Sequence, residues 1–246
     1  FNKFYQTVDR KVFMKDKNNS NHTSHLVPLM NCRIACYCES EDGDKLNSGL
    51  IKSLTGNDLI TCRQLYGEQF TFKPFAKYFI LTNNKPQFSA SDSALIDRIC
   101  FIHFNAKFVD DPKENEFKKD PKLIDELKTK YKDEIFSWIC QGAYEYYKLL
   151  SKNKRIKVPE IIKKAKEEYI KEMDNVMLFI NEKCCIDEIS RIPRTELYNY
   201  YINWYKDNID NNKPKATDFY KRLDQLDYQF VMVKGTRYIK GLIYNK

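Results

Sequence analysis

Residues 77–86 read KYFILTNNKP. Tyr78 to Leu81 is an apolar run that predicts a short buried strand, and Thr82-Asn83-Asn84 with Pro86 closes it in turn-forming residues. Open α/β sheets deliver chemistry in this form, because ligands sit outside the carboxyl ends of the strands. The same residues also make an ordinary exit turn, so the neighbouring segments decide. Upstream, after Pro28, a second apolar strand covers residues 33–38 and runs into Glu39, then Glu41-Asp42-Gly43-Asp44. A hydrophobic strand ending in a carboxylate is the form of a metal-and-water site in nucleotide hydrolases. It is equally the form of a strand that stops in an acidic loop.

Between these strands, Leu46, Leu50 and Leu54 fall at helical spacing, with Lys52 in the last turn and Gly56 placed to cap the end. Leu59–Leu65 and Phe70–Phe72 flank a turn at Tyr66-Gly67-Glu68 and predict a β-hairpin. Arg63, Tyr66, Gln69 and Lys73 sit at its tip and flanks. Cations and rings on an extended hairpin suit a nucleic-acid strand, charge meeting phosphate and rings meeting bases; a solvated hairpin carries the same residues. Past the opening stretch, residues 92–98 predict a short helix with Asp92 as N-cap. Arg98 follows, then a strand over Ile99–Phe104. Arg98 is placed to pair with Asp97 or Asp92, or to reach an anion on a neighbouring subunit.

The 246 residues are enough for two modest domains, and 42% are apolar, enough for a packed core. No apolar run approaches the roughly 18 residues that cross a bilayer, and the chain opens without the apolar core of a secretory signal. Its first residue is Phe1 rather than Met, which reads as a piece of a longer protein. A net charge of +8 favours an anionic partner, although acidic residues are interleaved with basic ones throughout. Of the eight cysteines, Cys36 and Cys38 alternate in a strand and Cys184 and Cys185 are adjacent. No paired CxxC spacing appears, so neither zinc nor a disulfide framework is expected, and buried reduced thiols in an intracellular, non-secreted protein are. Residues 1–15 show no clean period, and residues 16–25 are Asn/Ser-rich and read as a loop.

Asp110 to Pro121 is charged and punctuated by proline, as linkers are. Leu123–Leu150 is helical by period, and helices follow over about 160–173 and 174–183. Residues 193–207 and 217–226 predict two helices, and 228–233 with 236–244 a hairpin turning at Lys234-Gly235. Helix, helix, hairpin is the layout of a winged helix. Its second helix would carry Lys215, Lys221 and Arg222, and its wing Lys234, Arg237 and Lys240. Such contacts fall mainly on phosphate. Winged helices also serve purely as protein-packing modules. The expected partition is 1–110, 111–175 and 176–246.

Taken together, the motifs resemble the ATPase core of superfamily 3 helicases, of the type fused to primases in poxviruses, giant DNA viruses and phages. The likeness covers about residues 25–110. The strand ending at Glu39 is similar to a Walker B strand. KSLTGNDLITCRQLY (52–66) resembles the family's hairpin motif, KYFILTNNKP its sensor strand with Asn83 in the sensor position, and DRICFIHF (97–104) its arginine-bearing strand. The family usually has two arginines there; here Asp97 precedes Arg98. The resemblance implies an α/β fold class: a partial AAA+-like core, a helical segment and a winged helix. It implies an ATP-driven DNA-unwinding motor that works as a hexameric ring with ATP and Mg²⁺, without a membrane, in the host cytoplasm, viral factory or virion. Catalytic roles fall to Glu39, which would help hold Mg²⁺ and polarise water, to Asn83, which would hydrogen-bond that water or the γ-phosphate, and to Arg98 as a finger across the subunit interface. Lys52, Arg63 and Lys73 would meet DNA.

One part of the pattern is absent. A phosphate-cradling loop needs G-x-x-x-x-G-K-[ST], and none of the seven glycines is followed by lysine. The expectation is therefore a fragment or a degenerate copy that does not bind ATP tightly alone. The alternatives are a catalytically silent DNA-binding or ring-assembly module, or a winged-helix DNA-binding regulator.

Overall fold

The computed structural model describes residues 4–15, 22–211 and 213–245, so residues 16–21 of the expected loop lie outside them. The chain forms two compact units. One joins the residues up to Ile99 with those from Glu168 onward; the other is Cys100–Glu167. This grouping differs from the three consecutive segments expected: the C-terminal residues share a unit with the N-terminal ones.

The N-terminal part of the first unit runs β1 (Tyr5–Thr7), β2 (Ile34–Cys38), α1 (Ser48–Thr55), β3 (Ile60–Arg63), β4 (Gln69–Phe72), β5 (Lys77–Leu81) and α2 (Ser93–Ile96). β1, β2 and β5 make a parallel sheet in that order, with Ala35 opposite Tyr78 and Cys38 opposite Leu81. β2 is central, and Ala35, Cys36 and Tyr37 are all buried, as a parallel strand covered on both faces requires. β5 is not the buried strand expected: it lies at the sheet edge, where Phe79 and Leu81 are about half exposed. β1 has no counterpart in the sequence pattern, because three residues are too few to show a period. The hairpin forms as expected, with Ile60 opposite Phe72, and Ile60 and Cys62 point into the core. Its first strand stops at Arg63, where the chain enters the turn. Asn47 caps α1 by accepting from the Leu50 amide, and Asp92 caps α2 by accepting from the Leu95 amide. Gly56 ends α1 at φ −96°, and the left-handed residue there is Asn57. Val12, Met14, Leu29 and Leu95 anchor this core.

The expected strand over Ile99–Phe104 does not form: these residues are irregular, and Phe104 is 84% exposed. They are a short apolar run of strand length, but among the described residues no sheet edge pairs with them, and an unpaired strand leaves its backbone groups unsatisfied. The expected linker instead contributes to a two-residue parallel ladder, β6 (Phe108–Val109) with β7 (Phe117–Lys118). The long helical segment is two helices in the second unit, α3 (Leu123–Lys128) and α4 (Lys132–Ser151). Neither has a buried residue, and Phe136, Trp138 and Tyr147 lie exposed on α4.

α5 (Glu160–Glu172) leads into the C-terminal lobe of the first unit: α6 (Asn175–Lys183), β8 (Cys184–Pro193), α7 (Arg194–Asn208), α8 (Ala216–Gln225), β9 (Phe230–Val233) and β10 (Thr236–Tyr244). The expected helix, helix, hairpin order is present. Lys234 (φ 47°) and Gly235 (φ 82°) are both left-handed, as a two-residue hairpin turn demands. An additional strand, β8, completes an antiparallel sheet in the order β8-β10-β9. The sequence pattern does not reveal β8 because a bulge breaks its period: Arg191 pairs with Lys240, but Gly241 pairs with Asp187. Phe219 stacks on Tyr201 at 4.5 Å, and Phe179 meets Tyr201 and Trp204 edge-on or tilted within 5.7 Å. These rings are the centre of the second core.

Candidate functional site

β2 and β5 lie side by side and parallel, so their carboxyl ends form one rim. The Glu39 amide donates to Leu81 O at 2.9 Å, the last rung of the ladder. Glu39 then turns the chain at φ +68°, and its exposed carboxylate stands on the rim. Asn83, two residues beyond β5, is exposed at the same end. The structure thus brings the expected acid and amide to one edge.

The residues that hold the rim are ones the motifs do not single out. Ser40 is buried and bonds the Thr82 hydroxyl and, at 2.9 Å, the Asn84 carbonyl. The Asn84 side-chain amide donates back to Ser40 O at 3.1 Å. Tyr37 donates its hydroxyl to Glu39 O at 3.2 Å. A polar network of short side chains therefore pins both strand exits and leaves Glu39 and Asn83 projecting from them. Deeper in, Asp44 is buried and accepts from the Arg10 guanidinium and from the Glu41 amide at 3.1 Å. Sequence gives little signal for this pair, since an Arg and an Asp 34 residues apart share no local pattern. From the C-terminal lobe, Tyr169 donates to Pro86 O and packs edge-on against Phe88 at 5.0 Å, while Lys85 meets Glu172 at 2.7 Å.

The other expected residues are dispersed. Arg98, exposed, donates to the Ala94 carbonyl one turn back, and among the described residues it pairs with neither Asp97 nor Asp92. Lys52 lies on α1, where its ammonium meets Asp92 at 3.1 Å, and Ser48 donates to the same carboxylate. Arg63 closes its own hairpin by donating to Gly67 O at 2.9 Å. Lys73 is exposed beyond β4, and Tyr66 at the hairpin tip is fully exposed. In the C-terminal lobe, Lys215, Lys221, Lys234 and Arg237 are exposed. Arg222 is not: its Nε and Nη2 donate to Asp174 at 2.9 and 2.6 Å, so the expected DNA contact is instead an internal clamp.

Asp92 carries a testable titration. Burial disfavours its charge, but the Ser48 hydroxyl, the Lys52 ammonium and the Leu95 amide outweigh that and hold the carboxyl below its usual 3.8. A folded-state value below the unfolded one adds stability above the unfolded value and loses it as pH falls through the folded one. Asp92→Asn is expected to lower stability at neutral pH while flattening its fall below about pH 4, read from urea midpoints across that range.

The rim supplies an acid and an amide, but no backbone cradle for phosphate. Its loops are stapled by side chains, and Gly43 (φ +75°) is followed by Asp44. Among the described residues, no three His, Cys, Asp or Glu side chains gather as a metal site. The residues present fit Mg²⁺–ATP only in part. Nor is any described helix long and apolar enough to cross a membrane. All eight cysteines are free; Cys32, Cys36, Cys62 and Cys184 are buried, whereas Cys38, Cys100, Cys140 and Cys185 are exposed.

Residues 171–240 match the family described as Poxvirus D5 protein-like. Three viral relatives bear the name "Putative helicase". That of Acanthamoeba polyphaga mimivirus is 28% identical over 224 residues, 87% of this chain and 23% of its own length. That of Invertebrate iridescent virus 3 is 23% identical, covering 82% of this chain and 23% of its own. That of Frog virus 3 is 26% identical, covering 75% and 19%. The chain thus spans about a quarter or less of the length of these relatives. It is similar to the C-terminal region of viral D5-type primase–helicases, as its motifs indicate.

Proposed function

We propose that this chain is the C-terminal part of a DNA-replication primase–helicase, the sensor side of a superfamily 3, AAA+-like motor followed by a winged helix. The observation that carries this reading is the common rim of β2 and β5, with Glu39 and Asn83 at one end of a parallel sheet. Bound Mg²⁺–ATP would supply the phosphoryl chemistry. Glu39 would orient water and hold Mg²⁺ indirectly, and Asn83 would donate a hydrogen bond beside it. DNA is the partner for the β3–β4 hairpin and the C-terminal lobe, whose three-stranded sheet and three helices support the winged-helix reading. A homo-oligomeric ring, a hexamer by family, is the proposed assembly, and the exposed aromatic residues of α4 support association.

A second reading, a silent DNA-binding or ring-assembly module, is favoured by one fact: no GxxxxGK[ST] occurs in the sequence. The coding DNA immediately upstream separates the two. A phosphate-loop sequence in frame, and single-strand-stimulated ATP hydrolysis by the joined polypeptide, support the motor; stop codons leave the module. For the chain by itself, titration with a fluorescent ATP analogue is expected to show no micromolar binding, because no bare amides approach the phosphates. Micromolar affinity would overturn that expectation.

A further inference from the structure

A cleft of about 710 Å³ opens within the first unit, between the N-terminal lobe and the C-terminal lobe. Its two walls carry Lys15, Lys45 and Lys52 on one side and Lys213, Lys215 and Lys221 on the other. These cations are far apart in sequence, and only the folding of the two lobes together brings them to one space.

The ion pairs in and around the cleft decide its charge. Lys45 is neutralised by Asp210 at 2.7 Å and Lys52 by Asp92. The lining carboxylates Glu172 and Asp174 are taken by Lys85 and Arg222. Among the described residues, Lys15, Lys213, Lys215 and Lys221 have no carboxylate partner, and Asp218 is the lining carboxylate left without a cation. The cleft is therefore net positive after internal pairing. Lys215 is also the N-cap of α8 and supplies no side-chain acceptor, so that helix start adds positive potential to the same wall. Hydroxyls of Ser48, Ser89 and Ser91 line the cleft, and the aromatic rings that reach it are engaged in packing: Tyr201, Tyr205 and Phe219 are buried in the core, and the half-buried Phe88 meets Tyr169 edge-on at 5.0 Å. A cleft with surplus ammonium groups and hydroxyls, and no free ring to stack a base, matches a phosphate-bearing chain rather than nucleobases.

We infer that this interlobe cleft binds the sugar–phosphate backbone of a single DNA strand, with Lys213, Lys215 and Lys221 as its phosphate contacts. The inference rests on the proposed DNA-binding role and adds the surface that performs it, which is not the wing. A single strand can bend its backbone into a cleft between two lobes, whereas a duplex is stiff over this length.

The test is fluorescence anisotropy of the full chain with a labelled single strand of about 20 nucleotides, with salt titrations. Lys215→Glu/Lys221→Glu is expected to weaken binding about tenfold or more at moderate salt. It is also expected to lower the slope of log K against log salt by about 0.7 for each lysine–phosphate pair that the substitutions remove. Asp218→Asn, which removes the opposing charge, is expected to tighten binding about two- to threefold, a gain that misfolding cannot mimic. The control is Lys234→Glu/Arg237→Glu on the wing. Weakening confined to the wing variant, with the cleft variants unchanged, overturns the cleft and keeps the DNA-binding role. No binding by the unsubstituted chain overturns both. Equal binding of a fully paired hairpin duplex with the same cleft dependence, or displacement by micromolar nucleoside triphosphate, overturns the single-strand assignment.

Discussion

Arg222→Ala is expected to destabilise the first unit by about 3–5 kcal/mol, the loss seen when one member of a buried ion pair is deleted. Asp174 is 3% exposed, and its carboxylate also accepts the Met177 amide at 3.2 Å as the N-cap of α6. Two guanidinium nitrogens of Arg222 meet it, and a third donates to Gln225, whose own amide reaches Ser91 O at 3.2 Å in the N-terminal lobe. Removing the guanidinium strands a charge where water is scarce and loosens the start of α6 at once. Urea denaturation gives the readout. Arg222→Lys keeps the charge but not the forked donor and is expected to recover only part of the loss. The double variant Asp174→Asn/Arg222→Ala removes the stranded charge and is expected to be more stable than Arg222→Ala alone. Lys221→Ala, one residue away and exposed, is expected to change stability by no more than about 0.5 kcal/mol. An unchanged midpoint for Arg222→Ala would remove the clamp from the account and return Arg222 to the set of surface cations.

Arg98→Ala carries the largest expected effect on turnover. In an assembly complete with a phosphate loop, it is expected to lower ATP hydrolysis by about 10³–10⁵-fold, the range for removing an arginine that meets the transferring phosphoryl group. The local geometry permits the role. Arg98 is exposed at the end of α2 and held by a bond to Ala94 O, without an ion pair among the described residues. Releasing that bond costs at most about 1.5–3 kcal/mol, and a guanidinium at a phosphate forms paired charge-assisted bonds in its place. Because the finger is proposed to act across a subunit boundary, mixing is decisive. Rings combining Arg98→Ala subunits with Glu39→Gln subunits are expected to recover turnover, since intact sites form where the two kinds meet. Full hydrolysis by Arg98→Ala rings would sink the assignment, and Arg98→Lys is expected not to rescue it.

The features legible in the residues are those with a local cause. Asp92 and the Lys234-Gly235 turn announce themselves because a cap or a two-residue turn is settled within four or five residues. The strands at 34–38 and 77–81, and the polar residues at their ends, can be read because each is a short apolar run bounded by turn residues; that β2 is buried and β5 is an exposed edge is not readable from those runs. Reading fails where pairing is remote or a period is interrupted. Ile99–Phe104 has the apolar run of a strand and, among the described residues, no edge to join, whereas β8 has an edge to join and a bulge that hides its alternation.

Charge is the least legible quantity of all. Lys52, Arg63 and Arg222 look alike in the chain as surface cations, yet Asp92, a backbone carbonyl and Asp174 claim them in the fold. Lys215 and Lys221 look the same in sequence and stay exposed, without a carboxylate partner among the described residues. Side-chain type and short-range spacing fix which elements form and which polar groups stand at their ends, since backbone and capping forces act over a turn or two. Which cation keeps its charge for a ligand, and whether two strand ends share one rim, depends on partners tens of residues away. Only packing two lobes around their own cores selects those partners.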